Sequence, residues 1–380
     1  MFKGLRRFFV LTWSAALAAS ACPAQAKPVT DCPLRDAPFS ADSPLIDILL
    51  SDQARAVLNK FSQGRFKSVP EGIFGVHPPT FASIWTLRTS ARFTGIQEVN
   101  IPEVDRELRA LPVLPSDQVS RCARYDDDVP VFDLPKGKIR ILIFEKSTGF
   151  KDVPSVDAAR RAVELLAQQN GWTVATTEKG GAINRRTLAK FHAVIWNNVS
   201  GDVLSLSQRR ALQRYMEHGG GFVGIHGSAG DPVYYWDWYA DSLIGARFLG
   251  HPKDPQFQDA RIFVNKGHKL AGNLPPDWVM KDEWYSFRSN PRDSGANILL
   301  SLDENSYNAR TSSSVNLAMA DHPIAWTRCI NGKGRMFYTA IGHLPEAYTE
   351  KDSLTAIEAA IRWAANSLAT CNTIRSESGR

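Results

Sequence analysis

Cysteine is scarce: the 380 residues hold five, and no two stand within a few positions of each other. Thiols scattered so widely do not supply the paired spacing of a structural zinc site. Long apolar runs are missing after the first two dozen residues, so no later segment is predicted to span a membrane. Charge of one sign never accumulates. Lys and Arg total 45 against 39 acidic residues, and the resulting +6 is dispersed, which argues against a nucleic-acid surface. Repeats and low-complexity tracts are absent, which excludes a solenoid. What remains is a chain that is 43% hydrophobic and 22% charged, the balance of a globular protein with one large core and an accessory region.

Residues 1–26 have the layout of a secretory leader. Lys3, Arg6 and Arg7 open it, Phe8 to Ala21 is apolar but too short to cross a bilayer comfortably, and Ala24-Gln25-Ala26 is a small-residue cleavage site. The expected location is periplasmic or secreted. Ala19-Ser20-Ala21-Cys22 loosely matches a lipoprotein signal, but the usual leading leucine is absent, so anchoring through Cys22 ranks second. Cleavage after Ala26 leaves Cys32, Cys122, Cys329 and Cys371, which allow three pairings. An oxidising compartment favours disulfides. Cys32 with Cys122 would close the N-terminal region, and Cys329 with Cys371 would tie a late strand to the tail.

Residues 27–135 read as a helical accessory region. Pro44–Leu50, Ala54–Phe61, Phe81–Phe93 and Val104–Leu111 carry helical spacing. His77 reads as a loop residue beside Pro78-Pro79, and Asp126-Asp127-Asp128 as a solvated acidic linker rather than a cation site. From Ile139 the pattern alternates. Strands are expected at Ile139–Phe144, Trp172–Thr176, Ala193–Trp196 and Phe222–Ile225, and helices at Ser155–Gln169, Ile183–Lys190 and Gln208–Glu217. Ser205 and Gln208 have capping-box spacing, and Gly219 can take the left-handed turn that ends the last helix. Alternation of this kind predicts a parallel sheet. Phe222–Ile225, apolar throughout, should be a central strand. Asp231–Asn316 reads as an insertion with loop and strand character. Ile324–Cys329 and Arg335–Ala340 read as strands joined by Asn331-Gly332-Lys333-Gly334, and Thr355–Leu368 as a closing helix.

The motifs come in a recognisable order: Lys146-Ser147-Thr148-Gly149-Phe150, then Gly219 to His226 (GGGFVGIH), Asp282-Glu283-Trp284-Tyr285, Asp321-His322-Pro323-Ile324-Ala325-Trp326, and Gly342-His343. Together they resemble the ThuA-like (trehalose utilisation) family of the class I glutamine amidotransferase-like superfamily, over residues 138–368, with 369–380 as a tail. The resemblance implies a flavodoxin-like, mostly parallel α/β sheet and a link to carbohydrate metabolism. It implies no particular reaction. The superfamily's cysteine nucleophile has no counterpart, because Gly224-Ile225-His226-Gly227-Ser228 occupies that turn. Thiol-based amide hydrolysis is therefore excluded. Ser228 stands two residues past the crest and is a poor substitute. Glu346 is a loose match to the superfamily's glutamate.

His226 and His343 each follow a predicted strand and should reach one sheet edge, where ligands of open α/β sheets bind. His226 is expected at the crest, contributing little to the core. Asp282 and Glu283 join them as candidate catalytic groups. Trp284, Tyr285, His251 and His322 are the candidate substrate contacts, since carboxylates accept sugar hydroxyls and aromatic faces cover a sugar ring. Core packing is the ordinary role for Trp284, Trp236 and Trp238, and a turn for Asp321-His322-Pro323. His192 and His218 read as structural and His268 as solvated. Two chemical readings compete. In one, His226 or His343 is a general base with Glu283 or Asp282 as partner or acid, acting on a sugar or keto-sugar by isomerisation, elimination or hydrolysis. In the other, His226, His251, Glu283 and His343 hold a divalent metal such as zinc. A domain that only binds carbohydrate or a protein partner is the alternative of a different class.

Overall fold

A computed structural model describes residues 28–62, 71–135, 139–310, 316–366 and Cys371. The leader expected over 1–26, with Cys22, lies outside the described residues, as does most of the tail expected over 369–380.

The N-terminal region is helical: α1 (Leu45–Leu49), α2 (Asp52–Phe61), α3 (Glu71–Phe74), α4 (Leu87–Thr94), α5 (Ile101–Arg109) and α6 (Pro115–Cys122). The stretch expected as one helix over Phe81–Phe93 is instead a short 3-10 turn at Phe81–Ser83 followed by α4. Thr86 caps α4 through the Thr89 N–H, which starts a new helix there. The helices share a core of Phe39, Leu45, Ile48, Leu58, Leu87, Val104 and Leu108. Cys32 and Cys122 are bridged across 90 residues of sequence, and Cys329 and Cys371 across 42. Asp126, Asp127 and Asp128 are not a free acidic linker. Asp126 pairs with Lys146 and accepts from Gly180 N–H, Asp127 accepts from Gln208, and Asp128 pairs with Lys179.

The alternating section yields β1 (Arg140–Phe144), α7 (Val153–Asn170), β2 (Thr173–Thr177), α8 (Arg185–Leu188), β3 (Ala193–Asn197), α9 (Leu206–Glu217) and β4 (Gly221–Ile225). β1, β3 and β4 are short and apolar because both faces are covered, with β3 and β4 buried along their whole length, whereas the edge strand β2 is half-buried and holds three threonines. Val156, Ala159, Val163 and Leu166 form the buried stripe of α7. Gln208 accepts the Ser205 N–H at 3.0 Å at the start of α9, and Gly219, at φ +96°, turns the chain into β4. β5 (Phe248–Gly250), β6 (Phe257–Val264), β7 (Asp277–Glu283), β8 (Ser286–Phe287), β9 (Asn297–Leu302), β10 (His322–Ile330), β11 (Gly334–Thr339) and α10 (Lys351–Ala365) complete the chain.

One sheet carries nine strands in the order β2-β1-β3-β4-β11-β10-β9-β6-β7. β2, β1, β3, β4 and β11 are mutually parallel, and β10, β9, β6 and β7 extend the sheet by antiparallel pairing. β4 is central as expected, with Val223 opposite Ile195 on one side and Phe337 on the other. The region read as an insertion is therefore part of the main sheet. Its strand β7 alternates exposed and buried residues, the signature of an antiparallel strand with one wet face.

His268 is a correction. It lies in the expected turn, but its ring points inward: 3% of the residue is exposed, Nδ1 accepts the Leu270 N–H, and Nε2–H donates to Thr327 Oγ1 at 3.0 Å. Burial first, then the neighbouring Lys269 charge, lowers its pKa to about 4 from the usual 6.5. Between those values the unfolded chain binds a proton that the folded chain refuses. Stability is therefore lost as pH falls from about 6.5 towards 4, by up to about 3 kcal/mol. Urea unfolding at pH 7 and pH 4.5 should show that loss, and His268→Gln should lose less over the same interval. Equal losses in both proteins would refute the assignment.

Candidate functional site

Three left-handed residues mark the carboxyl edge of the sheet: Asn198 after β3 at φ +52°, His226 after β4 at +37°, and Gly342 after β11 at +135°. Side chains in that region cost about 1–3 kcal/mol each and gather at functional sites. The three are wired together. Asn198 Oδ1 accepts from Gly227 N–H, its Nδ2 donates to Tyr348 OH, and Tyr348 OH donates to the Gly342 carbonyl.

His226 is not a crest side chain standing clear of the core. It is 3% exposed, its ring stacks on Tyr285 at 4.2 Å between centroids, and Tyr338 OH donates to its carbonyl. Nδ1 lies 2.7 Å from the Ala340 carbonyl, which accepts only, so Nδ1 carries a proton and Nε2 faces inward as an acceptor in the neutral ring. His343 Nδ1 lies 3.2 Å from that Nε2 and 3.0 Å from Glu283 Oε2, while His226 Nε2 and Glu283 Oε2 are 3.4 Å apart. His251 Nδ1 is 3.1 Å from Glu283 Oε1, which Gln256 Nε2 also reaches. The groups meet in direct contact instead of surrounding an open cavity. The cluster reaches solvent through the side chains of His343, 13% exposed, and His251, 24% exposed. Phe150 and Phe257 flank His343 at 6.0 and 5.1 Å.

Asp282 has a different task from its neighbour. Fully buried, it accepts backbone N–H groups from Gly342 (2.6 Å), His343 (3.1 Å), Leu344 (3.1 Å) and Glu283 (2.9 Å). It positions the loop that bears His343. Burial raises its pKa against the pull of His226 and these donors. Burial would likewise raise Glu283, but the pull of His226 and His343 beside its Oε2 and the His251 charge win and hold it far below the usual carboxylate range. Burial would lower His343, yet the Glu283 hydrogen bond and charge leave its pKa raised. For His251 burial wins, and its pKa is lowered.

Two expected substrate contacts are core residues instead. Trp284 has no exposed surface and donates its indole N–H to the Gln258 carbonyl at 2.8 Å. His322 is the first residue of β10, 1% exposed, with Nδ1 on Glu304 at 2.7 Å and Nε2 on the Tyr285 carbonyl at 2.9 Å. It braces Tyr285 from behind. Ser228 Oγ is buried and donates to the Trp196 carbonyl, so it is no nucleophile. Glu346 is exposed, and the carboxylate on His343 is Glu283. Gln256, Phe150, Phe257, Asn198 and the Ala340 carbonyl escaped the sequence reading. Only Phe150 lay in a motif, and no spacing rule points to the others.

His226 Nε2, Glu283 Oε2 and His343 Nδ1 form a triangle that can share protons or accept a cation. Its sides of 3.4, 3.0 and 3.2 Å are close to the edge, about 3.3 Å, of a tetrahedron with metal–ligand bonds of about 2.0 Å. The Ala340 carbonyl on the far nitrogen of His226 is the usual outer support of a metal-binding imidazole.

A family profile described as ThuA, trehalose utilisation, matches residues 140–364. No curated protein matches the chain. Among solved structures, a ThuA-like protein from Bacteroides uniformis is 25% identical, with a TM-score of 0.52 over 61% of this chain and 94% of that one. A ThuA-like protein from Parabacteroides merdae is 16% identical, with a TM-score of 0.45 over 63% and 93%. A glutamine amidotransferase from Thermotoga maritima is 10% identical, with a TM-score of 0.38 over 60% and 99%. With the profile covering more than half of its length, the chain belongs to the ThuA, or trehalose utilisation, family.

Proposed function

We propose that this is an exported, carbohydrate-active enzyme that moves protons with His343, Glu283 and His226 and uses no thiol nucleophile. The observation that carries the reading is the Glu283–His343 bond at 3.0 Å. A carboxylate on Nδ1–H leaves Nε2 of the same ring unprotonated and basic, on an imidazole less buried than His226. Such a base can take a proton from a sugar hydroxyl, or from the carbon beside a keto-sugar carbonyl, and return it to a leaving oxygen. Isomerisation, elimination and hydrolysis all need that step. Family membership supports the carbohydrate, and the two disulfides support export. His251, a quarter exposed, stands nearest as a substrate contact, with Tyr285 buried behind His226.

The size of the triangle favours a second reading, in which His226, Glu283 and His343 bind a divalent metal such as zinc, with His251 beside it. The metal would supply Lewis-acid activation, and these side chains would hold it.

One experiment tests both. The full chain is assayed on trehalose, other disaccharides and their keto-sugar derivatives, as purified, after a chelator, and after added zinc. Turnover insensitive to the chelator supports proton transfer alone. Loss with the chelator and recovery with zinc supports the metal. Binding without conversion in every condition overturns the enzyme reading and leaves a binding module.

A further inference from the structure

The family match begins at residue 140, and the helical region before it contacts the edge that holds the site. Thr80 N–H donates to the Thr148 carbonyl at 3.1 Å, on the loop that carries Phe150. Tyr235 OH donates to the Trp85 carbonyl at 3.4 Å. Between these contacts runs a line of aromatic rings. Phe150 lies 6.0 Å from His343, Phe81 lies 5.4 Å from Phe150, Trp85 stacks on Phe81 at 5.0 Å, and Phe93 stacks on Trp85 at 5.2 Å.

These four rings belong to neither of the two main hydrophobic cores. Phe93 is 42% exposed and Phe150 39%, so both ends of the line remain open to water. Phe81 and Trp85 between them are half-buried, and an aromatic line outside the core, open at both ends and continuous with a candidate active site, marks a recognition surface. Among the described residues beside the line, Arg88 pairs with Asp42 and Lys151 with Glu178. The surface therefore suits a neutral ligand with an apolar side, as a sugar ring has.

We propose that Phe150, Phe81, Trp85 and Phe93 form a subsite for a second sugar residue of a carbohydrate whose first residue sits at His343, and that the N-terminal helices serve to build it. The proposal rests on the carbohydrate reading above and extends it: the preferred ligand has at least two rings, and three of the four rings that select the outer one, Phe81, Trp85 and Phe93, come from outside the family-matched residues 140–364.

The test is equilibrium binding of trehalose, cellobiose, maltotriose and glucose to the full chain, with Phe93→Ala and Phe150→Ala beside the wild type. Phe93 stands four ring contacts from His343, so its loss should spare the first sugar position. An aromatic contact is worth about 0.5–1.5 kcal/mol, so each variant should weaken at least one of the larger sugars by about 2–12-fold. In Phe93→Ala the affinity for glucose should not change. Fluorescence supplies a second readout: quenching by the larger sugar should shrink in Trp85→Phe. If sugars bind but both variants match the wild type, or if Phe93→Ala weakens glucose equally, the subsite is wrong and the carbohydrate reading stands. If none of these sugars binds the wild type, the carbohydrate reading fails and the subsite falls with it.

Discussion

His343→Ala is expected to lower turnover of a cognate carbohydrate by about 10²–10⁴-fold, the ordinary contribution of a general acid or base. The fold should survive. The imidazole is partly exposed, and the loop is fixed by the backbone N–H of His343 on Asp282, which alanine keeps. A thermal midpoint close to wild type, together with the lost rate, would locate the effect in the chemistry. A rate within a few fold of wild type would remove His343 from the mechanism. The same experiment on His226 is less clean. Its ring bonds the Ala340 carbonyl, stacks on Tyr285 and occupies a left-handed backbone position. His226→Ala should cost stability as well as rate. His226→Asn is the better variant, because asparagine tolerates that backbone region more readily than most residues.

Asp282→Ala should be the most destabilising single change at this edge. It strands the N–H groups of Gly342, His343 and Leu344 in a buried setting. A buried donor left without a partner costs about 1–3 kcal/mol, so the three together should cost about 3–9 kcal/mol unless water enters. Asp282→Asn should fall between wild type and alanine, since it keeps one acceptor oxygen and turns two donors towards the loop. The readout is the urea midpoint at constant slope. A loss below about 1 kcal/mol would show that the loop is held by other contacts, such as Ser155 Oγ on the His343 carbonyl and Tyr348 OH on the Gly342 carbonyl.

The parallel half of the sheet is legible in the sequence because burial on both faces forces unbroken apolar runs, and each run directs the eye to the residue at its carboxyl end. Reasoning of that kind puts His226 and His343 at one edge, 117 positions apart in the chain. The antiparallel half is harder to read. β6 and β7 alternate in burial, and their pattern does not say which sheet they join. The motif around Asp282 carries four adjacent candidates, but resemblance does not tell which way a side chain faces. Glu283 turns to the imidazoles, Asp282 to backbone, and Trp284 into the core. His322 likewise faces the core, against the Tyr285 carbonyl. Gln256 stands in no motif, and the helical spacing of Phe81–Phe93 says nothing about its neighbours, so only three-dimensional packing brings these residues and Phe150 together at the site.

The position of β11 has a consequence for how the chain matures. It is the last strand in sequence, yet it lies in the middle of the sheet, between β4 and β10. A growing chain that has not reached Gly334 therefore holds two separate ribbons. One ends on the bare edge of β4 and the other on the bare edge of β10, and exposed edges of this kind invite wrong pairing. A single late segment joins them and brings the Gly342–Leu344 loop to Asp282 in the same event. Any product cut short before Thr339 is then two half-sheets rather than a smaller protein. Such a fragment would present sticky edges and would need a chaperone's protection or prompt disposal.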